Sequence, residues 1–242
     1  MKAPSSDQRS ILDIARFDQQ ANSLRHKAAN LPELAELTST TIKSNNARDL
    51  RIAAETELSD VKRELLRAEG DVEQIVSRIT RDEARLISGS ATPKELEQLQ
   101  HEVGTLGVRR AELEEVELEI MMRVDAINER ITTLKAEEAE YAAVIADLEI
   151  RKENALTVIH SDLDAIAKDR AATIQGIEKA LVDLYDKIRE STGGAGAAAL
   201  SAGSCMGCNL SVNAVELKRM SELAEDEVVR CEECRCILVR GV

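Results

Sequence analysis

From Pro93 onward the chain runs for roughly a hundred residues without a further proline to break a helix, and apolar side chains return every three or four positions. Leu96, Leu99, Val103 and Leu106 begin the pattern, which continues through Leu113, Val116, Ile120, Val124, Ile127, Ile131 and Leu134 to Leu181, Leu184 and Ile188. Such spacing holds one stripe on one face of a helix. At a rise of 1.5 Å per residue, a single helix of this length is a rod of about 140 Å. A stripe that long must be buried against something.

The partner lies just upstream. Leu58, Val61, Leu65, Ala68, Val72, Ile75, Ile79 and Leu86 form a matching stripe, and Ser88-Gly-Ser-Ala-Thr-Pro93 between the two reads as a turn. Thr92 can cap the second helix, with Pro93 at its first position and Glu95 placed to complete a capping box. Pairing about the turn at 88–93 brings the N-terminus back to about residue 180, so the helices form one antiparallel hairpin. A parallel homodimeric coiled coil is the competing arrangement, and it leaves the turn without a purpose. Farther upstream a looser stripe (Ile11, Ile14, Ala21, Leu24, Ala28, Leu31) meets Pro32, which predicts a kink near 30–32. Gly70, Gly104 and Gly107 fall near one another in the hairpin, as a close approach of the helices or as a bending point.

Composition supports long helices over a globular core. Aromatic residues make up 1% of the chain, only three prolines occur, and 32% of residues are charged. The net charge of −13 disfavours nucleic-acid phosphates and anionic membranes as partners. No apolar run approaches the ~20 residues that span a bilayer, and no signal-like block opens the chain, so a cytoplasmic location is expected.

After Ile188 the character changes. Ser191-Thr-Gly-Gly-Ala-Gly196 stops the helix and reads as a flexible joint, dividing a helical hairpin over 1–190 from a small unit over 191–242. All five cysteines lie in that small unit. Cys205-Met-Gly-Cys208 and Cys231-Glu-Glu-Cys234 are two Cys-x-x-Cys pairs, each able to set two thiolates on one side of a tight turn. Together they predict one structural zinc ion held by Cys205, Cys208, Cys231 and Cys234. Two unrelated pairs of free thiols are the alternative. Ala197–Ala202, Val228–Val229 and Ile237–Val239 read as strands, and Asn213–Leu223 as a short helix capped by Asn213. Cys236, two residues beyond Cys234, is expected to point away as a spare thiol, or else to substitute for Cys234 as a ligand.

With these segments identified, the chain resembles a bacterial family of four-cysteine zinc-ribbon proteins with an N-terminal coiled-coil hairpin, and most of all its actinobacterial branch. The resemblance rests on Ser88–Glu102 after the turn, on Cys205-x-x-Cys208, and on Val229-Arg-Cys-Glu-Glu-Cys234 followed by Ile237-Leu238. It implies a mostly α fold, a long antiparallel coiled-coil helical hairpin followed by a small C-terminal zinc ribbon, and adaptor activity toward protein partners, with nucleic acid in some members. The family's second knuckle usually continues Cys-Gly-Arg-Ile-Leu, whereas Arg235 and Cys236 stand here. A non-glycine residue in the left-handed conformation expected after the second cysteine costs about 1–2 kcal/mol.

The function expected is that of a non-enzymatic adaptor, a monomer or loose dimer, binding a protein through the coiled coil and ribbon. Nucleic-acid binding through the ribbon is the alternative, but residues 191–242 carry Lys218, Arg219, Arg230, Arg235 and Arg240 against a larger number of carboxylates. His26, His101 and His160 are scattered along helices and form no metalloprotease signature.

Overall fold

The computed structural model describes residues 1–89 and 92–241. Helix α1 (Ser5–Ala29) ends at Asn30, whose N–H donates to the carbonyls of His26 and Lys27. Helix α2 (Pro32–Ile87) then begins on the proline, so the kink expected near 30–32 is a break between two helices. Helix α3 (Pro93–Ile174) opens on the expected capping box: the Thr92 N–H and hydroxyl both donate to the Glu95 carboxylate, at 2.7 and 2.8 Å. Ser90 and Ala91, in the middle of the turn expected at 88–93, lie outside the described residues.

The chain divides into two compact units, Ala35–Glu149 and Met1–Leu34 with Ile150–Val242. In the first, α2 and α3 run antiparallel. Arg51 pairs with Glu138 at 2.6 Å, Arg123 with Glu64 at 2.9 Å, and Arg78 with Glu102, which fixes the register of the hairpin. Its seam centres on buried Ala54, Val61, Ile127 and Ile131, flanked by Leu58, Ile120 and Val124. On α3 the inward positions keep a seven-residue repeat (Leu99, Leu106, Leu113, Ile120, Ile127, Leu134) with companions four residues on at Val103, Glu117, Val124 and Ile131, while Arg110 at the matching position is exposed. The repeat therefore passes through Glu117, and Val116, expected in the seam, stands 47% exposed. A Cβ added at Gly70, Gly104 or Gly107 would meet nothing within 4 Å, so close helix approach is not what these glycines serve.

In the other unit the single helix expected to continue to Ile188 is interrupted after Ile174. The N–H groups of Gly176 and Ile177 turn back to Thr173 and Ile174, and Glu178 leaves the helical region with φ −55° and ψ 125°. The Asp7 carboxylate accepts the freed Glu178 N–H at 2.9 Å, and α4 (Lys179–Thr192) starts there. The break re-aims the apolar stripe, so that Ile177, Leu181, Tyr185 and Ile188 share a core with Ile11 and Ile14 of α1. Within it Asp18, 8% exposed, accepts from the Tyr185 hydroxyl at 2.8 Å and from Arg170 at 2.9 Å, with Arg189 at 3.4 Å. Burial, then the Asp18 hydrogen bond, pushes the Tyr185 hydroxyl far above its usual range.

Gly193 closes α4 in the left-handed conformation, φ 64°. Three residues on, a Cβ at Gly196 would lie 2.6 Å from the Tyr185 ring and 2.7 Å from its backbone oxygen, so the chain passes there only as glycine. Strands β1 (Ala197–Ser201), β2 (Ser204–Cys205), β3 (Val229–Arg230) and β4 (Ile237–Val239) form a sheet in the order β2-β1-β4-β3. β1 runs parallel to β4, and the other pairs are antiparallel. Helix α5 (Ala214–Glu222) precedes β3, with the Asn213 side chain accepting the Val215 N–H at its start as expected.

The sheet is covered on both faces. Ala197, Ile237 and Val239 join the core of α1 and α4, while Ala198 and Leu238 pack with the cysteines, Met220 and Val229. An unbroken apolar run such as Ile237-Leu238-Val239 is what burial on both faces requires. The N-terminus is stitched on as well: Ala3 N–H donates to Asp226 O at 2.7 Å, Val228 N–H to Met1 O at 3.0 Å, and Gln8 reaches Glu225 O at 3.1 Å. The glycine segment at 191–196 therefore ends α4 without isolating the small sheet, whose strands and the two helices share one core.

Candidate metal centre

Two matching turns carry the cysteines. In the first, the Cys205 N–H donates to Leu210 O at 3.0 Å and the Asn209 N–H to Cys205 O at 2.8 Å. In the second, the Cys231 N–H donates to Cys236 O at 2.9 Å and the Arg235 N–H to Cys231 O at 3.0 Å. Asn209 and Arg235 occupy equivalent positions and both are left-handed, at φ 57° and 61°. Asparagine tolerates that region. Arginine does not favour it, and Arg235→Gly is expected to stabilise the protein by about 1 kcal/mol in chemical denaturation. An unchanged midpoint would contradict the strain assigned to this residue.

The turns bring four sulfurs together. The Sγ atoms of Cys205, Cys208, Cys231 and Cys234 all lie within 4.8 Å of one another, a group able to hold a metal ion. Cys205 and Cys234 are 3.8 Å apart and Cys208 and Cys231 are 3.9 Å apart. A tetrahedral site with metal–sulfur bonds of about 2.3 Å has sulfurs about 3.8 Å apart, so the cage fits. Cys205 and Cys231 are buried on the sheet, while Cys208 and Cys234 are half-buried at the outer side.

Protons and a cation compete for these sulfurs. Burial acts to raise the Cys205 thiol, but N–H groups of Cys208 and Gly207 and the adjoining thiols outweigh it and hold it at about 7. Burial pushes Cys231 up to about 12 even though N–H groups of Cys234 and Glu233 point at it. At neutral pH the Cys231 thiol therefore gives up its proton as an ion enters. Affinity for the ion must rise with pH, and it must fall more steeply below about pH 7, where Cys205 is protonated too. Metal titrations at pH 8 and pH 6 test this, and equal affinities would contradict it.

Cys236 departs from expectation. The left-handed turn at Arg235 folds the chain back, and Cys236 Sγ lies 3.3 Å from Cys234 Sγ and 3.6 Å from Cys205 Sγ, 1% exposed. A sequence rule for side-chain direction assumes regular backbone, which this knuckle does not have. Arg240, counted from sequence among the basic residues of 191–242, has a structural task. Its guanidinium donates to the carbonyls of Met220, Leu223, Ala224 and Glu227, closing the end of α5 and the loop beyond it. Arg219 pairs with Glu216. The three histidines stand exposed on helices, and the group able to hold a metal is made of cysteines.

Comparison with known proteins gives consistent results. The family described as the CT398-like coiled coil hairpin domain matches residues 14–193. A Mycobacterium tuberculosis protein is 34% identical over 99% of this chain and 98% of its own length. A solved Mycobacterium smegmatis structure is 30% identical and superimposes with a TM-score of 0.87, covering 99% of this chain and all of that one. CT398 from Chlamydia trachomatis, 17% identical, shares the fold with a TM-score of 0.71 over 98% of both chains.

Proposed function

The chain belongs to the CT398-like coiled-coil hairpin family, and on that footing we propose that it is a non-enzymatic adaptor whose hairpin docks a protein partner and whose ribbon is held by one structural zinc ion. Zinc is the ion of choice for four thiolates at tetrahedral spacing with no position kept for water. Bound there, it cross-links the two knuckles and fixes the sheet on which α1 and α4 pack. Its role is to hold shape.

The observation that carries the adaptor reading is a second apolar stripe on α3. Gly104, Val108 and Ala111, then Leu118 and Met122 beyond an interrupting Glu115, lie at helical spacing on the side opposite the seam residues Leu106, Leu113 and Ile120. Val108, Leu118 and Met122 are 65%, 57% and 58% exposed. A two-helix hairpin buries one stripe per helix, so a second stripe facing solvent has no partner inside the hairpin. It suits an apolar helix of another protein, read at three- and four-residue intervals. Among the described residues no helix is long and apolar enough to cross a membrane, and a cytoplasmic setting is part of this proposal.

Affinity capture from the native cell with the intact chain and with a Leu118→Glu/Met122→Glu variant tests the reading. A partner retained by the intact chain and lost from the folded variant is expected. Equal recovery from both would count against docking through this face. Nucleic acid is the less supported partner, because Arg219 and Arg240 are engaged within the ribbon.

A further inference from the structure

Gly104 stands inside the unbroken helix α3, where glycine is disfavoured against alanine, and the hairpin's own packing gives no reason for it: a Cβ there would meet nothing within 4 Å. The missing side chain leaves a notch on the outer surface of α3, walled by His101, Thr105, Val108 and Glu112. From this notch the exposed apolar positions lead on to Leu118 and Met122, a span of about 27 Å along the helix.

Uncompensated charge along the same face has one sign. The arginines of α3 between residues 97 and 130 are all engaged, Arg109 with Glu112, Arg110 with Glu114, Arg123 with Glu64 and Arg130 with Glu57. Glu97, Glu115, Glu119 and Glu129 are exposed on the side of Val108 and Leu118 and have no ion-pair partner among the described residues. Glu115 stands within the apolar row itself. A second copy of this chain would bring carboxylates against carboxylates here, and nucleic-acid phosphates or anionic lipids meet the same repulsion. The apolar row calls for side chains at three- and four-residue intervals, and the glutamates call for cations beside them.

We propose that α3 between Gly104 and Met122 docks a basic amphipathic helix of another protein. That helix seats a large apolar side chain in the notch at Gly104, lays its apolar row on Val108, Leu118 and Met122, and sets lysine or arginine against Glu115 and Glu119. The proposal names the partner of the docking face described above and rests on that reading. Apolar contact supplies the hold, and the carboxylates select the sign of the partner's flanks. Because these charges are exposed, the selection is strongest at low ionic strength.

The test uses the full chain and three synthetic peptides of about 20 residues, a helix long enough to span the face. One carries leucines at three- and four-residue intervals flanked by lysines, the second has the same leucines flanked by glutamates, and the third keeps the lysines with glutamine for leucine. Fluorescence anisotropy should show the first binding about tenfold or more tighter than either of the others. In Glu115→Lys/Glu119→Lys the preference between the first two reverses. In Leu118→Glu/Met122→Glu the first peptide is lost, although two carboxylates have been added. Equal binding of the lysine- and glutamate-flanked peptides, both lost in Leu118→Glu/Met122→Glu, would overturn the charge selection and leave the docking face standing. Failure of both to bind the parent chain would overturn the two readings of this face together. A leucine-free peptide that binds as tightly as the first, or a dimer of the parent chain that Leu118→Glu dissolves, would overturn the proposal in favour of bare electrostatics or of a second copy. The peptide comparison is made on the parent chain, so it decides whether or not the variants fold.

Discussion

Asp18→Ala is expected to destabilise the unit containing α1 and α4 by about 3–5 kcal/mol, the range found when one member of a buried charged network is removed. The Asp18 carboxylate is the common acceptor for the Tyr185 hydroxyl and Arg170, with Arg189 alongside at 3.4 Å. Without it two guanidinium groups keep their charge in a partly desolvated site. Asp186 still takes Arg170 at 2.8 Å, but the fully buried Tyr185 hydroxyl loses the acceptor it has. Asp18→Asn keeps the shape and removes the charge, so it should cost less while still destabilising. Chemical denaturation followed by hydrogen exchange will locate the loss. It should fall in α1, α4 and the sheet, leaving amides of residues 35–149 protected. A loss under 1 kcal/mol in Asp18→Ala would mean that the network is incidental to the packing.

Removing the proposed zinc ion is expected to have the second large effect. The knuckle side of the sheet is built from Cys205, Cys231, Cys236, Met220, Val229 and Leu238, and so small an apolar cluster does not order a loop-rich segment by burial alone. Chelation should abolish amide protection across 197–239. Because Ile237, Val239 and Ala197 also belong to the core of α1 and α4, protection there should fall as well. The hairpin of α2 and α3 between residues 35 and 149 has its own seam, and most helical circular dichroism should survive. Collapse of the whole helical signal along with the metal would show that the units do not fold separately.

Periodicity made the hairpin legible because a seven-residue repeat leaves little freedom. Leu58, Val61, Leu65, Ala68, Val72, Ile75 and Ile79 are all buried or half-buried on α2. The pattern misled at Val116, where an apolar residue sits beside the seam and a glutamate occupies it. It misled again at Gly176, where the stripe continues in sequence although the helix is interrupted and re-aimed. Such a break depends on what packs around it, here Asp7 from α1, and carries little local signal. The four cysteines were legible from spacing because a tetrahedral ion demands paired ligands on tight turns. The inward turn of Cys236 was not, since it follows from the left-handed conformation at Arg235. Nor was the stitching of Met1–Ala3 onto residues 226–228, where a Lys2–Asp226 ion pair joins backbone hydrogen bonds between groups that any sequence possesses.

Metal content of the full-length protein, purified without added metal and measured by native mass spectrometry beside elemental analysis, tests the account at its centre. One zinc ion per chain is expected, lost in Cys208→Ser and in Cys231→Ser, with the loaded chain lighter than apo-protein plus zinc by the mass of the protons displaced from the thiols. A parent chain that carries no zinc, or that keeps it when Cys208 or Cys231 is replaced, would contradict the four-thiolate centre.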